Sequence, residues 1–260
     1  VFALLGPNGA GKSTAMYCFL GLIQPNRGSV EVLGRRPSVG CPQFERIAYL
    51  PEEPHYHLFL TLEEADAYYG NLYHGGVSEA RVRESIELVG LTPHRKLNLG
   101  KCWKGLRQKA GIAACLLREV DLMFLDEPTR GLDPVMVKSF RSILQNLNDN
   151  GTTVVINSHV LSEIELLCNR VTIIDQGKVL AQEDLNTLLK TDLDWFVVEM
   201  EAPREIPEIL VDSQRTDTIL NARVRAEQLA DFLSFATEQR LEVYSCAHKR
   251  LTLEEVFVSV

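Results

Sequence analysis

The sequence predicts an α/β fold: a mostly parallel sheet, a helical lobe inserted between its strands, and a small α+β appendage at the C-terminal end. Three observations predict it. Short apolar runs at 1–5, 47–50, 122–125, 153–156 and 171–175 alternate with helical segments, the pattern of strands buried on both faces. Between about 60 and 117, helical signals follow one another with no strand between them. After about 191 the pattern turns to strand, strand, helix, strand, so the expected division is 1–190 and 191–260.

Taken in order, the first apolar run leads into GPNGAGKST, where Gly6, Gly9 and Gly11 permit a tight turn with inward N–H groups. The following helix N-terminus adds partial positive charge, which makes Asn8, Gly9, Ala10, Gly11, Lys12, Ser13 and Thr14 a candidate phosphate cradle. Lys12 can reach terminal phosphates and the Ser13 hydroxyl can hold Mg2+; the spacing GxxxxGK[ST] in strand–loop–helix context is a strong signal for a nucleoside triphosphate. A turn that merely joins strand to helix accounts for the glycines but not for the Lys12–Ser13 pair. Thr61 to Glu64 reads as a capping box opening a helix, and 78–89 as a second helix ended by Gly90. DLMFLDEP is a buried strand ending in two carboxylates. Beside a phosphate loop, Asp126 falls near the metal, and Glu127 near the terminal phosphate as base or orienter of water. Asp133-Pro134 starts a helix with Met136, Phe140, Ile143, Leu144 and Leu147 on one face. TTVVINSH ends in His159, a further candidate contact for the terminal phosphate or the water. The appendage carries no catalytic constellation; dimer stabilisation or regulation is its expected role.

Composition excludes several classes. With 27 basic against 35 acidic residues and a net charge of −8, composition argues against broad binding to a nucleic-acid backbone, which needs a basic surface. No apolar run approaches the ~20 residues that span a bilayer, so a membrane role requires a partner. The 6 cysteines form no CxxC pair and sit mostly among apolar neighbours, which predicts buried thiols in a reducing compartment. His55 and His57 have no third ligand nearby, and a polar contact is expected rather than a metal. The chain starts without methionine and with its first strand under way, which fits a fragment lacking its first strands.

Together the motifs resemble the nucleotide-binding subunit of ABC transporters, in that family's order: GPNGAGKST, YLPEE, KCWKGLRQ, LMFLDEPTRGLDP and the NSH histidine, over roughly residues 1–185. TRGLDP and LTLEEVFVSV look most like the export-type branch that moves drugs, lipids, polysaccharides or ions. The resemblance implies a P-loop ATPase core with ATP and Mg2+ as ligands, Glu127, His159 and Glu52 as catalytic residues, and Ser13, Asp126 and Glu52 as metal contacts. It further implies a separate transmembrane permease, a second ATPase chain in a homo- or heterodimer, peripheral attachment at the cytoplasmic face, and Asp133 in the loop that meets the dimer partner. A non-hydrolysing or weakly hydrolysing ATP-binding partner in an asymmetric dimer, or a soluble non-transport ABC ATPase, is the alternative reading.

Two positions depart from the pattern. Glu52 stands where the family carries a glutamine; as a hard oxygen ligand it still suits Mg2+. Trp103 stands where the signature serine belongs, followed by Lys104 and Gly105 in the places of the two glycines. An indole lacks the hydroxyl oxygen that accepts from a helix N-terminal N–H and whose O–H donates to a phosphate. Losing the cap costs about 1 kcal/mol and losing the phosphate contact about 1.5–3 kcal/mol more. The expectation is either an asymmetric heterodimer, in which this chain lends a poor signature to its partner, or simple drift of the signature.

Overall fold

The computed structural model describes residues 1–38, 45–72, 75–189, 191–250 and 252–259, with the backbone alone at 191–193, 249–250 and 258–259. The chain divides into two compact units, Val1–Leu185 and Asn186–Val260.

In the first unit a six-stranded sheet runs in the order β2 (Ile47–Leu50), β3 (Leu122–Asp126), β4 (Thr153–Ser158), β1 (Phe2–Leu5), β5 (Arg170–Asp175) and β6 (Lys178–Asp184). The first five are mutually parallel, and β6 pairs antiparallel with β5 as an edge that the apolar runs do not reveal. Its side chains are mostly exposed, so no hydrophobic period marks it. All five residues of β3 are buried, as a central parallel strand requires. Leu4, Met16, Leu20, Phe124 and Ile174 form a core joining the sheet to α1 (Lys12–Phe19), and Phe19 stacks on Phe124 at 6.1 Å.

The lobe comprises α2 (Leu62–Asn71), α3 (Glu79–Leu88) and α4 (Lys104–Cys115), which pack on one another. Thr61 caps α2 reciprocally: its N–H donates to Glu64 Oε2 at 2.8 Å, and its Oγ1 accepts from the Glu64 N–H at 3.2 Å. Ser78 caps α3 and Asp133 caps α5 (Pro134–Asp149), whose Phe140 and Leu144 are buried. The N-cap of α4 is Trp103, extended at φ −72 and ψ 166, with no side-chain cap hydrogen bond. Its ring stands edge-on to His94 at 5.8 Å and is 53% exposed. Near the middle of α2, Asp66 is buried, and burial pushes its carboxyl up to about 8. His57 packs against the rings of Phe59 and Tyr68. After β4, α6 (Leu161–Leu167) leads into β5.

Short α7 (Leu185–Leu188) spans the division. The second unit is an antiparallel sheet in the order β10 (Val243–Arg250), β7 (Thr191–Glu201), β9 (Ile219–Arg225) and β8 (Val211–Arg215). It is covered on one face by α8 (Leu229–Glu238), through Val198, Met200, Leu220, Val224, Phe232 and Ala236. Sequence periodicity does not foresee β8, every residue of which is exposed, nor α9 (Leu253–Ser259). The cysteines depart from the expectation of burial: Cys102 and Cys168 are buried, Cys18 and Cys115 half-buried, and Cys246 is exposed on an edge strand. Cys41 lies outside the described residues.

Two stability measurements follow from these side chains. The folded Asp66 carboxyl titrates near 8 and the unfolded one near 3.9, so between those values the folded state holds the extra proton and stability falls as pH rises. Asp66→Asn therefore gains on the natural chain by about 2–4 kcal/mol from pH 5 to pH 8 in urea unfolding; a constant difference excludes the buried neutral carboxyl. Trp103→Ser supplies α4 with the acceptor it lacks and raises stability by about 1 kcal/mol, read as a higher urea midpoint with unchanged slope.

Candidate functional site

The loops after β1, β3 and β4 leave the same edge of the sheet because the strands are parallel and adjacent, with Leu5 opposite Ser158 and Asp126 opposite Asn157. Between β1 and α1 the chain must turn sharply. Gly11 occupies the N-cap of α1 with φ 101, and a side chain on Gly6 would meet the Ile174 carbonyl at 2.1 Å. Ala10 is buried and holds the loop, its carbonyl accepting from the Gly177 N–H at 2.9 Å.

The loop and strand ends enclose a cleft of about 250 Å³ lined by Asn8, Gly9, Gly11, Lys12, Ser13, Thr14, Glu52, Asp126, Glu127, Arg130, Asn157 and His159. Lys12 is buried, and its Nζ donates to the Gly6 and Pro7 carbonyls at 2.7 and 3.0 Å. Burial lowers its pKa, opposed by Glu127 and Asp126. Asp126 accepts from Asn157 Nδ2, which also donates to Ser13 Oγ at 3.3 Å. Burial raises the Asp126 carboxyl, while those amide and hydroxyl donors pull it back. Glu127 takes a left-handed backbone at φ 46, unusual for a residue with a side chain, and its N–H donates to the Asn157 carbonyl at 2.8 Å. That turn sets Glu127 Oε1 at 2.8 Å from His159 Nδ1 and leaves buried Oε2 without a hydrogen-bond partner among the described residues. A buried carboxylate oxygen oriented by an imidazole and lacking a donor is suited to accept from a water molecule.

Glu52 enters the cleft from the loop after β2. Its carboxylate pairs with Arg130, and its carbonyl accepts from Gln108 Nε2 of α4 at 2.9 Å. Thr129 is bonded to Glu163 of α6, which ties the segment carrying Glu127 to the helix that follows His159. Trp103, Lys104, Gly105 and Asp133 do not line this cleft. Asp133 accepts from the Met136 N–H at 2.9 Å as a helix cap, and Gly105 lies under Met136, where an added Cβ would stand 2.6 Å from its Cε. Lys104 lines a neighbouring cavity with Glu52, His55, Tyr56, Arg107 and Gln108.

Sequence reasoning assigned no part to Asn157, Arg130, Thr129 or Gln108. For Asn157 a signal existed: it is the penultimate residue of a buried strand, two before His159, where an amide has no apolar reason to sit. The other three sit in or beside quoted motifs, and nothing in the spacing shows what they touch.

A family model described as ABC transporter matches residues 1–130, and a model of an AAA domain matches 104–165. An uncharacterized ABC transporter ATP-binding protein of Synechocystis sp. is 37% identical over 202 residues, 76% of this chain and 56% of that protein. A fluoroquinolones export ATP-binding protein of Mycobacterium tuberculosis is 31% identical over 262 residues, 100% of this chain and 83% of that protein. Among solved structures, an ATP binding subunit of an ABC transporter matches with a TM-score of 0.62 at 30% identity, over 72% of this chain and 79% of that chain. With the phosphate loop, the paired carboxylates and the histidine on one sheet edge, the chain belongs to the ABC transporter family as an ATP-binding ATPase subunit.

Proposed function

We propose that the chain binds ATP with Mg2+ in the cleft between the phosphate loop and the end of β3, hydrolyses it there, and thereby powers export through a separate transmembrane permease. The observation that carries the chemistry is the Glu127–His159 contact at 2.8 Å inside the cleft that also holds Lys12, Ser13 and Asp126. In this reading the loop N–H groups and Lys12 hold the phosphates. Glu127 orients the attacking water and takes its proton, and His159 keeps the Glu127 carboxylate aimed. The donors at the metal position are hard oxygens, Ser13 Oγ, Asp126 and Glu52, with a buried Asn157 Oδ1 that lacks a partner among the described residues. Such a set suits Mg2+, which takes one or two carboxylates plus substrate phosphates and neutralises charge on the transferred group.

Relatives described as ATP-binding proteins of transporters, such as the fluoroquinolones export protein, support a separate permease; a second ATPase chain and attachment at the cytoplasmic face are part of the same proposal. Among the described residues no helix is long and apolar enough to cross a membrane, so the path for substrate belongs to another chain in this reading. We assign ATP hydrolysis to residues 1–190 and dimer support or regulation to 191–260. Trp103, Lys104 and Gly105 at the start of α4, and Asp133, are assigned to the face that meets the second ATPase chain. The uncapped N-terminus of α4 favours a second reading, an asymmetric pair in which this chain serves its partner's nucleotide poorly.

Glu127→Gln keeps the shape and removes the base. In the full chain assembled with its permease, it is expected to cut steady ATP turnover by about 100-fold or more while ATP still binds. Undiminished turnover would remove Glu127 from the chemistry.

A further inference from the structure

We propose that Arg130 is the cation that grips the terminal phosphate in this chain's own cleft, held in reserve by Glu52. The inference rests on the nucleotide reading of the cleft. The side chains lining that cleft include two full cations, Lys12 and Arg130, against three carboxylates, Glu52, Asp126 and Glu127. A triphosphate adds further negative charge, so each cation matters. Lys12 already donates to the Gly6 and Pro7 carbonyls. Arg130 has only Glu52 as its ion partner among the described residues, and both side chains are partly exposed, at 57% and 35%. An exposed ion pair of this kind is weak, whereas a guanidinium fork on phosphate oxygens is charge-assisted and bidentate. Exchange of Glu52 for phosphate therefore runs toward phosphate.

The backbone is arranged for that exchange. The Arg130 N–H donates to the Glu127 carbonyl at 3.2 Å, which pins the root of the guanidinium next to the candidate base. Gln108 holds the Glu52 carbonyl at 2.9 Å, so that only side chains need move. Once Arg130 has left, the Glu52 carboxylate is a free hard-oxygen donor on the same cleft. A glutamine at position 52 would carry no charge with which to hold Arg130 back.

The test compares binding of ATP and ADP by calorimetry, with Mg2+ and with EDTA, to the full chain and to Arg130→Ala, Arg130→Lys, Glu52→Gln and the Glu52→Gln/Arg130→Ala double variant. Arg130→Ala is expected to weaken ATP at least tenfold and ADP less than twofold, with partial recovery in Arg130→Lys. In EDTA, Glu52→Gln is expected to tighten ATP about fivefold, and this gain vanishes in the double variant. Equal losses for ATP and ADP, no loss, or a Glu52→Gln gain that persists without Arg130 each overturn the assignment. If the natural chain binds neither nucleotide, the nucleotide reading of the cleft fails first, and the inference falls with it.

Discussion

Parallel pairing of β4 with both β1 and β3 is the constraint on which the cleft depends. It puts the ends of three strands on one edge, so that a phosphate loop, a carboxylate pair and a histidine from distant parts of the sequence share about 250 Å³. Asn157 makes that adjacency chemical, since one amide reaches Asp126 on one neighbouring strand and Ser13 just beyond the other. Its carbonyl also receives the Glu127 N–H, which holds Glu127 in a backbone conformation that a residue with a side chain seldom adopts.

Charge is handled in two different ways in this molecule. Asp66 is held protonated up to about 8 by burial alone, so its cost appears as pH-dependent stability. Asp126 and Glu127 are also buried but carry directed donors, an amide and an imidazole, which leave their remaining acceptor capacity for ligand. Glu52 and Arg130 stand at the more exposed part of the site, where water screens both and exchange is cheap. The gradient from buried and fixed to exposed and exchangeable gives the site a rigid floor and an adjustable rim.

How much of this was legible depended on whether the signal was local. The phosphate loop, the Thr61 capping box and the Asp133 helix start are set by contacts within a few residues, and spacing alone shows them. The five parallel strands were legible because full burial makes each an apolar run, whereas β6 and β8 are exposed and carry no such mark. Cys246 departs from the general expectation of buried thiols for a related reason: sequence does not say that its strand lies at a sheet edge.

By itself the sequence determined the α/β class, the order of motifs and the residue types available for phosphate, metal and water. Only the tertiary structure decided which side chains meet. Asn157 bridges Ser13 and Asp126, Arg130 faces Glu52, Thr129 ties to Glu163, and Gln108 reaches the Glu52 carbonyl. The physical reason is that residue periodicity encodes burial, a property of each position alone. Hydrogen bonds and ion pairs are properties of pairs, and here sheet order, not sequence distance, brings the pairs together.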